Sequence, residues 1–119
     1  MGSCRRYCKS NYFEKIVPEL QSELKICGHY FLVRFIDNLM ADNSAHAWGR
    51  IHIGKQIIEM ELNCSDSKKE ETIVHETLHA IDNSLGLGLD EGQICSLANA
   101  LFQLGLGEKL MSKIDIPIL

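Results

Sequence analysis

The chain has 119 residues, 45% of them apolar and 24% charged, a globular mixture long enough to bury one core and too short for two domains. Its 12 basic and 16 acidic side chains leave a net charge of −4, which argues against the basic face of a general nucleic-acid binder. The longest uncharged run, Gly92 to Gly107, is broken by Gln93, Ser96, Asn99 and Gln103, so no membrane span is expected.

No apolar stretch follows Arg5 and Arg6, so a cleaved secretion signal is not expected either. The five cysteines, Cys4, Cys8, Cys27, Cys64 and Cys95, are odd in number and widely spread, a usage that fits a reducing cytoplasm better than a disulfide framework. Cys4 and Cys8 lack the second pair of a zinc knuckle and read as free thiols. Residues 1–10, with Arg5, Arg6 and Lys9, read as a flexible tail, and residues 11–119 as a single domain.

In chain order, Phe13, Ile16, Val17, Leu20 and Leu24 recur at helical spacing and predict an N-terminal helix over Tyr12 to Lys25. Tyr30 to Ile36 is aromatic and β-branched and reads as a strand. Ala45 to Ile53 and Gln56 to Leu62 predict two further strands, joined at Gly54-Lys55 by a tight turn with positive φ at the glycine. The three strands are expected as an antiparallel meander. Ile58, Met60 and Leu62 form its buried face, with Ile57, Glu59 and Glu61 opposite. Ser67-x-x-Glu70 reads as a capping box that opens a helix ending near Ser84, with Gly86 as its stop. Val74, Leu78, Ile81 and Leu85 form the apolar arc of that helix. Asp90-x-x-Gln93 caps the next helix, whose Ile94, Leu97, Ala98, Leu101 and Phe102 make a buried stripe, and Gly105 and Gly107 end it. One more turn over Glu108 to Lys113 and an extended tail complete an α+β domain.

The chemistry is concentrated in His75-Glu76-Thr77-Leu78-His79. Two histidines four apart project from one helix face, about 40° apart around the axis, and can share one metal ion. Glu76, turned about 100° from His75, can reach a water on that metal without ligating it. Zinc (Zn2+) lowers the pKa of such a water toward about 7, and the carboxylate can take its proton.

A catalytic zinc takes three protein ligands and leaves one position open. Asp82 stands three residues after His79 and Leu85 six after, and no histidine follows, so the third ligand is expected to be a carboxylate. Glu91 is the first residue of the following helix, in line with Ile94 and Ala98, and points toward the preceding helix. Asp90 reads as the N-cap and stands as the alternative ligand. Asp82, near the histidine face, is a candidate for orienting an imidazole from behind, or for ligation.

His75-Glu76-x-x-His79, followed by a helix that opens on an acidic residue, resembles the zincin metallopeptidases, specifically compact gluzincins. The stretch from Thr72-Ile73-Val74-His75 through Leu89-Asp90-Glu91-Gly92-Gln93 is similar to small phage- or mobile-element-encoded metallopeptidases related to the ImmA/IrrE type. The likeness covers residues 45–105, including Trp48-Gly49. It implies a minimal zincin-like fold and a zinc-dependent endopeptidase, with His75, His79 and Glu91 as metal ligands and Glu76 as general base. Zincins bind substrate as an added strand along a sheet edge, which makes Gln56 to Leu62, with Ile57, Glu59 and Glu61, the expected platform for a protein or peptide substrate. His46, Trp48 and His52 alternate on one face of the preceding strand, where cross-strand packing is the expected role. Two other readings fit the same residues: a zinc-binding regulatory or interaction protein with little turnover, and a phage structural or adaptor domain.

Overall fold

A computed structural model of the chain describes residues 22–43 and 45–115. Residues 1–21 lie outside it, and with them the expected tail, Cys4, Cys8 and most of the expected N-terminal helix. The part of that helix within the described residues is a strand. β1 (Ser22–Ile26) buries Ser22, Leu24 and Ile26 and exposes Glu23 and Lys25, the two-residue period of a half-buried strand. Leu24 suits a helical stripe and a strand face equally, so position alone misleads there. Cys27 and Gly28, at φ 50° and 84°, make a two-residue turn that leads into β2 (His29–Ile36). Positive φ at both turn residues matches the twist of an antiparallel pair.

β3 (Gly49–His52) and β4 (Ile57–Glu61) complete a four-stranded mixed sheet in the order β1-β2-β4-β3. β3 and β4 are the expected antiparallel hairpin. However, the positive φ of their connection falls on Gln56 (57°) and not on Gly54. The expected meander is replaced by a crossover: β4 runs parallel to β2, with Ile58 beside Val33 and Met60 beside Phe35. Because β4 is central, Ile58 and Met60 are fully buried (0% exposed), and each stabilises the fold by roughly 1.5–3 kcal/mol through side-chain burial.

Three helices follow: α1 (Asp66–Leu85), α2 (Glu91–Gln103) and α3 (Leu106–Met111). α1 starts two residues earlier than its sequence suggests. Ser65 caps it by accepting the Lys68 N–H at 3.1 Å, while Ser67 only shares a hydroxyl contact with Ser65. Gly86 stops it in the left-handed region. Ile73, Val74, Leu78 and Ala80 of α1 pack with Ile94 and Ala98 of α2 against Leu24, Phe31, Val33, Ile58 and Met60 of the sheet. Ile81 is only partly buried and Leu85 is 61% exposed. The buried arc therefore runs through Thr72, Ile73, Glu76 and Thr77 instead of toward Leu85. No helix among the described residues is long and apolar enough to cross a membrane.

Gly107 lies inside α3 and does not end α2. A methyl group there would stand 2.7 Å from the Glu70 carbonyl oxygen and 2.8 Å from its Cβ, so the glycine lets α3 press on α1. Gly107→Ala is expected to destabilise the protein by about 1–3 kcal/mol through overpacking, read as a lower urea midpoint with an unchanged m-value.

Candidate metal centre

α1 and α2 bring three donors to one point, two of them from α1 and the third from the start of α2. His75 Nε2 and His79 Nε2 are 3.2 Å apart. The Glu91 carboxylate straddles them, with Oε2 3.0 Å from His75 Nε2 and Oε1 3.1 Å from His79 Nε2. The helical period places the two imidazoles on one face of α1. Glu91 arrives because the chain turns back at once after Gly86. Gly86 and Leu87 donate their N–H groups to the Asp82 carbonyl, and Asp82 Oδ1 accepts the Leu89 N–H at 3.0 Å.

Through Oδ1, Asp82 pins the loop that delivers Glu91. Asp90 is likewise the cap of α2. Asp90 Oδ1 accepts the Gln93 N–H at 2.8 Å while Gln93 Oε1 accepts the Asp90 N–H at 2.9 Å, a reciprocal capping box. With Asp90 held at the helix start, Glu91 is the acidic residue that reaches the histidines.

Glu76 is buried (6% exposed) beside this cluster. Burial first, and then the negative charge of Glu91, push its carboxyl pKa up to about 7. Burial also holds the His75 imidazole below its ordinary pKa, against the opposite pull of Glu91 and with some help from His79. His75 is therefore biased toward the neutral form, whose free lone pair is the one that binds metals.

Glu76 and His75 open onto a cleft of about 300 Å³, with Trp48, Gly49, Lys68 and Cys95 among its walls. Gly49 is what lets β3 close against α1 here. A Cβ on it would stand 2.5 Å from Thr72 Cγ2 and 3.4 Å from Glu76 Cγ. Lys68 Nζ sits over the Trp48 ring, 5.2 Å from its centroid.

The peptide platform expected at Ile57, Glu59 and Glu61 is not a sheet edge. β4 is paired on both sides, to β2 and to β3, so its backbone groups are spent. Its acids are also engaged. Glu59 accepts from Arg50 Nε at 2.6 Å and lies 3.1 Å from His52 Nε2. Glu61, 2% exposed, accepts the backbone N–H groups of Asn38, Leu39 and Asn63 and meets His46 Nε2 at 2.9 Å. His46 also packs edge-on to Trp48. His46 and His52 are thus cross-strand partners of carboxylates. The sheet ends at β3, whose outer side is unpaired among the described residues.

One residue of the cluster is missing from the expectations drawn from sequence. Cys95 Sγ lies 3.6 Å from Glu91 Oε2, and its sulfur, a Glu91 oxygen and a His75 nitrogen all fall within 4.8 Å of one another. Its signal was available: Glu91 and Cys95 are four apart on one helix, the spacing that singles out His75 and His79. Comparison with protein-family models, curated proteins and solved structures finds no match for this chain.

Proposed function

We propose that the protein is a zinc-dependent endopeptidase of minimal zincin type, with His75, His79 and Glu91 holding the metal and Glu76 as the general base. The observation that carries this reading is the convergence of two imidazole nitrogens and a carboxylate at 3.0–3.2 Å, beside a buried glutamate that opens on a cleft. A tetrahedral zinc with bonds of about 2.0–2.1 Å spaces its nitrogen and oxygen donors about 3.3 Å apart, so the donor set fits the ion in both type and spacing. Bound there, zinc would polarise the scissile carbonyl and acidify a water near neutral pH.

The chain's own residues would do the rest. Glu76 accepts a proton from the attacking water on a carboxylate oxygen and passes it to the leaving amide nitrogen. Burial raises the proton affinity of this carboxylate, which suits a group that must both take and return a proton. The unpaired outer side of β3 offers backbone donors and acceptors to an extended peptide, which gives Gly49 to His52 the platform role. Trp48 and Lys68, at the same end of the cleft, would contact a substrate side chain.

Glu76→Gln tests the reading. The variant is expected to keep about one zinc per chain, as expected for a residue outside the ligand set. Its cleavage of a peptide library should fall at least about 100-fold, the low end for general acid–base groups. Loss of zinc in this variant would show that Glu76 is a ligand. Cleavage that survives both the variant and a chelator would belong to another protease.

A further inference from the structure

Cys95 stands one turn beyond Glu91 on α2, as His79 stands one turn beyond His75 on α1. Each helix therefore presents an i, i+4 pair of metal-ligating types, and His75 of one pair and Cys95 of the other line the same cleft. The Cys95 Sγ to Glu91 Oε2 distance is 3.6 Å. Zinc bonds of about 2.3 Å to sulfur and 2.0–2.1 Å to nitrogen or oxygen set such donors about 3.6 Å apart in a tetrahedron. Among the described residues, His75, Glu91 and Cys95 form a group with one ligand atom each, all within 4.8 Å. The same cleft holds Glu76, a carboxyl more than nine-tenths buried. Cys64 and Cys27 are placed differently: the Cys64 thiol donates to the Glu61 carbonyl and Cys27 belongs to the β1–β2 turn.

We propose that Cys95 is a fourth protein donor of the metal centre, one that closes the position a hydrolytic zinc leaves for water. This rests on the assignment of His75, His79 and Glu91 as ligands. The site then has two states. With Cys95 bound, four protein donors saturate a tetrahedral ion, as in structural zinc sites. With Cys95 turned away, three donors remain and the fourth position is free for water. Zinc, borderline soft, takes thiolate readily. As the sulfur–metal bond forms, the thiol gives its proton to solvent, so closure needs no oxidant or reductant. Cys95 is exposed, which leaves the thiol free to swing in and out without repacking the core.

Cobalt(II) distinguishes the states, because thiolate ligation produces a near-ultraviolet charge-transfer band that nitrogen and oxygen donors do not. The full chain loaded with cobalt is expected to show this band at one ion per chain. Cys95→Ser should bind one ion and lose the band, while Cys27→Ser keeps it. One bound cobalt in the unaltered chain without the band would overturn the role of Cys95 and leave the three-donor centre standing. A band that persists in Cys95→Ser would assign the sulfur to another cysteine and also overturn it. No bound cobalt or zinc in either protein would remove the metal centre itself, and this proposal with it.

Discussion

Replacing Glu91 by alanine is expected to weaken zinc binding at least about tenfold, beyond the low end of what losing a supporting hydrogen bond costs. The reason is geometric. Both oxygens of Glu91 lie within about 3 Å of imidazole nitrogens, so truncation removes the one carboxylate in the donor triangle. The neighbouring acid provides the control. Asp90 holds Gln93 in the capping box, so Asp90→Ala should cost about 1 kcal/mol of stability and leave zinc bound. Isothermal titration of zinc into both variants, beside their urea midpoints, separates the two roles. Affinities in the reverse order would transfer the ligand to Asp90.

The second large effect concerns stability. Glu61 is expected to be among the most costly polar residues to neutralise, and Glu61→Gln should destabilise the protein by about 2–4 kcal/mol. Two carboxylate oxygens serve three backbone N–H donors and His46. An amide offers one acceptor oxygen and turns donors toward the rest, and a hydrogen bond to a charged group is worth about 1.5–3 kcal/mol. Burial raises the Glu61 pKa, but the N–H groups of Asn63, Leu39 and Asn38, with His46, outweigh it and bring the value from the ordinary 4.5 down to about 2. A folded-state pKa below the unfolded one gives stability that is present above about pH 4.5 and is lost as pH falls toward 2. The slope that Glu61 contributes is at most about 1.4 kcal/mol per pH unit, and it should be missing in Glu61→Gln. Urea unfolding between these limits measures it.

The two long helices and the histidine pair were legible because their signals are local. Ser67 at one end and Gly86 at the other bracket α1 to within two residues, although Ser65 is the cap, and four residues fix the relation of His75 to His79. Glu91 was legible through direction: next after a cap, it inherits the inward stripe of Ile94 and Ala98. The sheet order was not legible, because pairing of β2 with β4 depends on where β3 goes, and no residue in 37–48 announces a crossover. β1 was hidden for a different reason. Leu24 fits two periodicities, and only the Cys27-Gly28 turn would have separated them. That missing topology produced the misplaced platform, since alternation in Ile57 to Glu61 marks a half-buried strand equally well at an edge or in the middle. Glu59 and Glu61 look like solvent-facing acids in sequence, yet they are inward groups with partners drawn from β3 and from the 38–46 segment.

The assignment of His75, His79 and Glu91 as a zinc site is tested by metal content. Protein purified without chelators, or reconstituted with zinc and dialysed, is expected to hold about one zinc per chain, as one two-histidine, one-carboxylate site requires, with His75→Ala and His79→Ala losing it. Less than about a tenth of a zinc per chain after reconstitution, or full zinc retained in both alanine variants, would contradict the assignment of this cluster as a three-ligand zinc centre.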